Sequence, residues 1–343
     1  MTPPRVTLRD VSRLANVSPM TASRVLNGSA NDAAVKQSTR QVVLKAAKKL
    51  GYTPNGLARA MRTGQTGNIG LVVPRKSDGE PITDTSFYAL IVEGVEHELL
   101  NNGHNILISA VWPPEMERRD IPRIAAARFV DGLLMLGFRD TDYIEEVARQ
   151  YGRVVAIDTI PTADYAAVYT ANREGGRLAA EHLLRLGHRR FAMVMQTGSR
   201  NLAMRAAGFK ETVETGGGQV LGQFEGEAWS DDSRAVENGI RSCIGEVSAL
   251  FCGNDNLAAC AIRVLSNEGV RVPETMSVVG FDGMDWTEQL IPPLTTVAVD
   301  KRRLGRTAAR LLLDSLAGQP ADRTRIELPV SLAERSSTAP PPT

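Results

Sequence analysis

The sequence predicts a small all-α helix-turn-helix head followed by a two-lobed α/β core with parallel sheets. Apolar residues recur at helical spacing through the first fifty residues, and from residue 68 onward short apolar runs alternate with amphipathic segments. Positive charge is concentrated at the N-terminal end. The length of 343 residues is sufficient for two or three compact units with sizeable cores.

The charge distribution separates the head from the rest of the chain. Residues 1–66 contain eleven Lys and Arg against two Asp, a net charge of +9, so the remainder carries −8 of the total of +1. A basic head on an acidic body concentrates the attraction for a polyanion at one end. Because the same stretch carries a helix-turn-helix pattern, we interpret the charge as a nucleic-acid-binding surface rather than a solvated basic face.

Three helices are predicted in the head. Thr7 is the expected N-cap of a helix over Leu8–Ala15, and Ser18 is the N-cap of a helix that begins at Pro19. A third helix is expected over Gln37–Leu50. The apolar residues expected to pack in their shared core are Leu8, Val11, Leu14, Ala15, Ala22, Val25, Leu26, Val42, Val43, Ala46, Ala47 and Leu50.

The second helix presents a short polar face, from which Thr21, Ser23 and Arg24 project. Small hydroxyls beside a guanidinium can approach phosphates and base edges closely. After the head, Pro54 is expected to open a short helix that extends to about Arg62 and is marginal alone in water. We therefore expect that segment to be disordered unless something holds it.

The pattern of the core predicts two parallel α/β units. Strands are predicted at Ile69–Val73, Asn105–Ser109, Gly132–Leu136, Val154–Ile157, Phe191–Met195, Val220–Phe224, Ala249–Cys252 and Ser277–Gly280. Helices are predicted at Tyr88–Asn101, Met116–Ala127, Tyr143–Gln150, Asn172–Leu186, Arg205–Glu214, Ala235–Ile244, Leu257–Glu268 and Arg303–Ala317. Two doubly wound units in one chain leave a cleft between them, lined by the carboxyl ends of their strands.

Polar side chains stand where several predicted strands end. Asp158, Asn254 and Asp282 each follow a strand, and Arg205 opens the helix after another. Carboxylate, amide and guanidinium groups are planar and can make two hydrogen bonds at once, which suits a polyhydroxylated or anionic ligand. For Asn254 and its neighbour Asp255 a second interpretation stays open, because either can cap the helix that follows.

Four stretches of the sequence together resemble the LacI/GalR family of bacterial transcriptional regulators. They are TLRDV at 7–11, VSPMTASRVLNG at 17–28, LGYTPN at 50–55 and IGLVVP at 69–74, and the similarity continues to the C-terminus. The resemblance implies a periplasmic-binding-protein-like core whose chain crosses between lobes near residues 160, 294 and 328. It also implies a homodimer.

The pattern and the resemblance together predict four segments. Residues 1–53 are expected to form the helix-turn-helix domain, 54–67 the hinge helix and linker, 68–338 the effector-binding and dimerisation domain, and 339–343 the tail. Within the core, the expected N-lobe spans about 68–160 and 295–327, and the C-lobe spans about 161–294 and 328–338.

The resemblance implies that the helix from Pro19 enters the major groove, with Pro19 and Met20 at positions that vary with operator sequence. The hinge is expected to fold on the operator and insert Met61, where leucine is common, into the minor groove. A packing role for Met61 against its symmetry mate is the alternative. The implied DNA-binding residues are Thr7, Ser18, Pro19, Met20, Thr21, Ser23, Arg24, Asn27, Tyr52, Asn55, Ala58 and Met61.

The resemblance also assigns an effector site. Arg205, Asn254 and Asp282 match the effector-binding positions of the family, and Phe87 and Trp229 correspond to aromatics that line its pocket. Ala171 stands where an Asp is common, so no role is assigned to it. The effector-binding residues expected are Phe87, Asp158, Arg205, Trp229, Asn254 and Asp282.

Other functions are disfavoured by what the sequence lacks. It contains no Walker phosphate loop, no G-x-G-x-x-G after its first strand and no nucleophile elbow, and its four His have no companions at metal-ligand spacing. We therefore expect no enzyme activity, no cofactor and no metal. The three Cys are expected to be free and buried. No export signal or membrane span is evident, which predicts a cytoplasmic location.

These observations predict an effector-responsive, sequence-specific DNA-binding regulator that acts as a repressor on pseudo-palindromic operator DNA. A small sugar or sugar acid is the expected effector. A purine- or nucleoside-responsive co-repressed regulator is the alternative. A sugar-binding transport protein would also explain the core, but the basic head and the missing export signal argue against it.

Overall fold

The computed structural model of the chain divides into two compact units, Met1–Gly67 and Asn68–Thr343. It describes residues 6–26, 35–53, 60, 63–75, 86–196, 198–226, 233–319 and 323–342. Five residues of the expected sites lie outside the described residues, namely Asn27, Asn55, Ala58, Met61 and Trp229. Over the described residues, the predicted fold class of a helical head and a two-lobed α/β core is confirmed.

The first unit contains three helices among its described residues, α1 (Leu8–Leu14), α2 (Pro19–Leu26) and α3 (Gln37–Leu50). Thr7 caps α1 in a reciprocal capping box with Asp10. Ser18 Oγ accepts a hydrogen bond from the Thr21 backbone N–H at 3.1 Å at the start of α2. Each helix thus begins or ends where the local sequence chemistry predicts.

The head core is formed by small and β-branched side chains from all three helices, which are Val11, Ala15, Ala22, Val25, Val43, Ala46 and Ala47. Two residues predicted in this core are exposed, since Leu14 is 45% and Val42 is 49% accessible. Each lies one position before a buried residue, about 100° away around the helix. The apolar stripe is therefore narrower than the sequence suggests.

The second unit contains both strands and helices among its described residues. Its strands are β1 (Asn68–Pro74), β2 (Asn105–Val111), β3 (Gly132–Leu136), β4 (Val154–Ile157), β5 (Ala166–Thr170), β6 (Arg190–Met195), β7 (Gln219–Glu225), β8 (Ala249–Cys252), β9 (Ser277–Asp282), β10 (Thr295–Ala298), β11 (Arg325–Leu328) and β12 (Ser331–Ala333). Its α-helices are α4 (Ser86–Asn101), α5 (Pro113–Glu117), α6 (Arg123–Ala126), α7 (Thr141–Tyr151), α8 (Asn172–Arg185), α9 (Arg200–Thr215), α10 (Ser233–Ser242), α11 (Asp255–Asn267) and α12 (Lys301–Leu316).

The described strands form two sheets of six strands each. The first sheet has the order β11-β5-β4-β3-β1-β2 and the second the order β12-β10-β9-β8-β6-β7. All pairs are parallel except β10 with β12. Each sheet with its helices is called a lobe below, and the central strands of both are buried, as parallel sheets covered on two faces require.

The chain crosses between the lobes near residue 328, as the resemblance implied, since β11 lies in the first sheet and β12 in the second. The other two crossings lie later than expected. β5 pairs with β4 and β11 in the first sheet, so residues 166–170 belong to the first lobe. β10 pairs with β9 in the second sheet, so residues 295–298 belong to the second lobe. The expected crossings near 160 and 294 are therefore corrected to positions after Thr170 and after Ala298, because strand pairing and not sequence spacing decides lobe membership.

Two other features differ from the sequence expectations. The single helix predicted over Met116–Ala127 is broken into α5 and α6, since Pro122 disfavours helical backbone in the residue before it. The short strands β5, β10, β11 and β12 were not predicted. Each is short and carries Thr, Ser, Arg or Glu in place of a continuous run of large apolar residues, which leaves little local signal.

Close helix pairing orients both lobes. In the first lobe, a Cβ at Gly94 would lie 2.1 Å from the Arg302 carbonyl oxygen, so α4 and α12 meet backbone to backbone. In the second lobe, Gly208 stands at the same kind of crossing, where a Cβ would lie 2.0 Å from the Arg173 carbonyl oxygen. The glycine of the Arg205-Ala206-Ala207-Gly208 motif therefore lets α9 lie directly against α8.

Cys243, Cys252 and Cys260 are free and buried, as predicted. In the part of the chain that the structure describes, we find no helix with the length and apolar character needed to cross a membrane.

Candidate functional site

A cavity of about 750 Å³ lies between the two lobes. Residues that follow β1, β3 and β4 line it on one side, and residues that follow β6, β8 and β9 line it on the other. Carboxyl ends of parallel strands are the usual place for a ligand site in open α/β sheets. The described residues that the sequence predicted for an effector site all line this cavity: Phe87, Asp158, Arg205, Asn254 and Asp282.

The centre of the second lobe's wall is a buried ion pair. Arg205 Nη1 donates to Asp282 Oδ1 at 3.0 Å, and the Arg205 side chain is only 4% exposed. Burial raises the pKa of the Asp282 carboxyl, whereas the guanidinium of Arg205 and the ammonium of Lys301 oppose that rise. The pair leaves carboxylate lone pairs that can accept hydrogen bonds from a ligand.

Arg205 is held rigidly by its surroundings. Its Nε donates to Asn172 Oδ1 at 2.8 Å, and its Nη1 also donates to the Gly253 carbonyl at 2.7 Å. The guanidinium carbon lies 3.7 Å from the centre of the Phe281 ring, a cation–π contact. Because protein acceptors hold the guanidinium of Arg205 from several sides, Arg205 fixes the position of Asp282 at the cavity wall.

Asp158 supplies a carboxylate from the first lobe and contacts the second. It follows β4 with a left-handed backbone at φ +57°. Asn201 Nδ2, from α9, donates to the Asp158 carbonyl at 2.8 Å and to Asp158 Oδ1 at 3.2 Å, so these bonds join the lobes across the cleft. Burial raises the pKa of the Asp158 carboxyl to about 7, so this group keeps its proton at a higher pH than an ordinary carboxyl does.

The structure distinguishes the roles of Asn254 and Asp255. Asn254 is the N-cap of α11, since its Oδ1 accepts from the Leu257 backbone N–H at 2.8 Å, so the NH₂ group is the donor it can offer a ligand. Asp255 is buried, and its carboxylate accepts from Met284 N and Thr296 Oγ1. Of the two interpretations of this pair, helix capping belongs to Asn254, and Asp255 braces the loop after β9.

Aromatic rings border the same cavity. Phe87 and Tyr88 lie at the start of α4 with ring centroids 5.2 Å apart, and both line the cleft. Trp286, in a 3₁₀ helix at Asp285–Gln289, contributes an aromatic from the second lobe. Sequence reasoning missed Tyr88, Asn201 and Trp286. Only Tyr88, adjacent to Phe87, carried a local signal.

The cavity can accommodate a small polar ligand with an apolar face. Carboxylates accept from hydroxyls or amines, amides and guanidiniums donate, and rings cover apolar surface. Within the described ranges, we find no group of three or more His, Cys, Asp or Glu side chains that could hold a metal ion.

The head presents the expected polar helix face. On α2, Met20 is 67% exposed, Pro19 and Arg24 are also exposed, and Thr21 and Ser23 are half-buried. Thr7 and Ser18 use their hydroxyls in helix capping. Tyr52 is half-buried and packs against the head core.

Known proteins similar to this chain combine the same two units. The sequence description of bacterial regulatory proteins of the lacI family matches residues 7–55, and that of a periplasmic binding protein-like domain matches residues 180–338. The HTH-type transcriptional repressor PurR of Mannheimia succiniciproducens is 30% identical over 338 residues, which cover 96% of this chain and 98% of that protein.

Two solved structures extend the comparison. The Lac repressor dimer bound to operator and the anti-inducer ONPF is similar with a TM-score of 0.84 at 27% identity, covering 98% of this chain and 100% of that one. The complex of the transcriptional regulator CelR with cellobiose has a TM-score of 0.69 at 30% identity, covering 97% and 100% of the two chains.

The helix-turn-helix head and the two-lobed core with its cleft define a DNA-binding transcriptional regulator that responds to a small-molecule effector. The chain belongs to the LacI family of bacterial regulatory proteins. The resemblance inferred from the four sequence stretches is therefore confirmed.

The raised pKa of Asp158 predicts a specific pH dependence of stability. Between the ordinary carboxyl pKa of 3.8 and the folded pKa of about 7, the folded state binds a proton that the unfolded state lacks. The free energy of unfolding therefore falls as pH rises through this window. Relative to Asp158→Asn, the free energy of unfolding of the wild type should fall by about 2.5 kcal/mol between about pH 5 and pH 8 in urea denaturation.

A matched control is Glu96→Gln, which neutralises an exposed carboxylate on α4. Its stability profile should run parallel to that of the wild type. Parallel profiles for the wild type and Asp158→Asn would contradict the assignment of a buried, easily protonated carboxyl to Asp158.

Proposed function

We propose that this chain is a homodimeric repressor whose operator binding is controlled by a sugar or sugar acid in the cleft. The observation that carries the proposal is the pair of carboxylates facing the cavity from opposite lobes, Asp158 and Asp282. Arg205 and Asn254 add donors on the second lobe. A ligand with several hydroxyls bonds to both walls at once, and it thereby favours one relative orientation of the lobes.

A purine or nucleoside is the second candidate effector. The relative that is 30% identical carries the name of a PurR repressor, and the rings of Phe87, Tyr88 and Trp286 suit a planar base. The CelR structure, at the same identity, holds cellobiose. We favour the sugar class because hydrogen-bond acceptors lie on both walls of the cavity. Hydroxyl groups distributed around a sugar ring match acceptors on two walls better than the single polar edge of a planar base does.

The DNA-binding part of the proposal rests on α2 and on the charge of the head. Met20 offers apolar contact only, and Pro19 has no backbone donor, so this pair discriminates operators by shape and thymine methyl contact. Arg24 is then the residue that hydrogen-bonds to a base or phosphate. A regulator that acts on a bacterial chromosome works in the cytoplasm.

Dimerisation is proposed through one edge of each lobe. β2 and β7 are edge strands of their sheets, and they carry the exposed apolar residues Ile108 and Leu221. Leu100 at the end of α4 adds exposed apolar surface. The similar Lac repressor structure is a dimer on its operator. Two heads in one dimer would place two copies of α2 on a pseudo-palindromic site.

Ligand screening tests the effector class. We expect a sugar or sugar acid, from a panel with cellobiose, ribose, gluconate, glucuronate, hypoxanthine and guanine, to raise the melting temperature. Ligand at a hundred times its Kd stabilises the native state by about 2.7 kcal/mol. Asp282→Asn should abolish the ligand-induced rise, and Glu96→Gln should retain it. A rise with purines alone would support the second candidate, and a rise that survives in Asp282→Asn would place the ligand elsewhere.

Binding-site selection from randomised duplex DNA tests the role of α2. Met20→Ala should relax the base preference at one or more positions of each half-site and weaken binding to the selected site about tenfold, because an apolar contact in the major groove is lost. Leu14→Ala removes an exposed apolar side chain from α1 and serves as the control. An unchanged base preference in Met20→Ala would remove Met20 from the readout.

A further inference from the structure

A buried lysine lies directly behind the effector-site loop. Lys301 is the first residue of α12 and is only 6% exposed. Its Nζ donates to the Asp282 carbonyl and, at 2.8 Å, to the Gly283 carbonyl. Lys301 is absent from the cavity lining, so it supports the loop from behind and does not touch a ligand.

The hydrogen bonds of Lys301 join two different lobes. α12 packs in the core of the first lobe, where Leu304 and Ala308 lie in one cluster with Leu134 and Val155. The carbonyls of Asp282 and Gly283 belong to the end of β9 and the loop that follows it, in the second lobe. Lys301 is therefore a physical connection between the loop that carries Asp282 and the helix layer of the opposite lobe.

The loop needs support because its backbone is unusual. Asp282 has φ +111° and Gly283 has φ +63°, two successive residues in a region that side chains disfavour. A Cβ at Gly283 would lie 2.7 Å from Ala298 Cα, so no other residue fits there. The loop amides are also held, since Gly283 N donates to Thr296 Oγ1 and Met284 N donates to Asp255 Oδ2.

The charges around Lys301 favour a positively charged side chain at this position. Burial lowers the pKa of the Lys301 ammonium, and the carboxylates of Asp282, Asp255, Asp285 and Asp300 oppose that shift and favour the charged form. A buried ammonium that bonds to two carbonyls among carboxylates is expensive to leave unpaired. Its bonds to the loop therefore persist while the lobes keep this arrangement.

We propose that Lys301 is a positioning residue that fixes Asp282 for effector binding and transmits the position of the Asp282 loop to the first lobe through α12. The proposal rests on the assignment of Asp282 to the effector site. α12 meets α4 backbone to backbone, and α4 carries Phe87 and Tyr88 on the opposite wall of the cleft. Lys301 thus links the two walls of the cavity independently of any ligand.

Amide hydrogen exchange on the full-length protein without ligand tests the connection. The Val299 backbone N–H also donates to the Asp282 carbonyl, at 3.2 Å. In Lys301→Met, the amides of Gly283, Met284 and Val299 should exchange about tenfold faster or more, because both buried carbonyls lose the lysine donor. The β6 and β8 amides should keep their protection. Arg303→Met removes an exposed charge from the same helix and should exchange as the wild type does. Lys301→Gln, which retains an N–H donor, should be intermediate, and it replaces Lys301→Met if that variant does not fold.

Two results would overturn the proposal. Exchange of the loop amides at the wild-type rate in Lys301→Met would show that Lys301 does not hold the loop. A uniform loss of protection through both sheets in both Lys301 variants would show a general stabilising role and no specific connection.

A ligand arm separates this proposal from the proposed effector class. Any compound among cellobiose, ribose, gluconate and hypoxanthine that slows exchange of the α12 amides in the wild type should no longer do so in Lys301→Met, whereas its direct protection of the cavity wall at Asp158 should remain. Unchanged protection of α12 in that variant would contradict transmission through Lys301. If cellobiose, ribose and gluconate all fail to protect the wild type, the result counts against the proposed sugar class, and the ligand-free exchange still decides the role of Lys301.

Discussion

The buried ion pair between Arg205 and Asp282 is the constraint around which the second lobe is built. Arg205 reaches Asp282 only because α8 and α9 touch backbone to backbone at Gly176 and Gly208, where any Cβ would collide with a carbonyl of the other helix. Asn172, at the start of α8, then meets the guanidinium from the side. Helix packing, the arginine and the site carboxylate are one connected arrangement, so a change in one displaces the others.

The polar groups that line the cavity are divided between the two lobes. Asp158 belongs to the first lobe and is bonded by Asn201 from the second, while Asp282 belongs to the second and is supported by Lys301 from the first. The two lobes thus contact each other through residues that line the cavity and, at Lys301, directly behind one of them. A ligand that bonds to both walls changes the free energy of one lobe arrangement relative to others, and linkage requires operator and ligand to influence each other equally.

Much of the fold and part of the site could be predicted from sequence. Buried strands such as Gly132–Leu136 and Ala249–Cys252 were placed with their observed bounds, because continuous apolar runs between turns carry a strong local signal. Asp158, Asn254 and Asp282 were identified because strand ends are visible in sequence. Lys301 and Asn201 were not, since their roles arise from contacts between segments that are distant along the chain. The lobe crossings after Thr170 and Ala298 escaped prediction for the same reason.

The central claim is that occupancy of the cleft sets the affinity for operator DNA, and fluorescence anisotropy of a selected operator tests it most directly. A compound that raises the melting temperature should change the operator Kd of the full-length protein about tenfold, in either direction, corresponding to about 1.4 kcal/mol of coupling. Arg205→Gln should bind operator with a Kd that the compound no longer changes. A compound that stabilises the wild type and leaves its operator Kd unchanged would contradict the account.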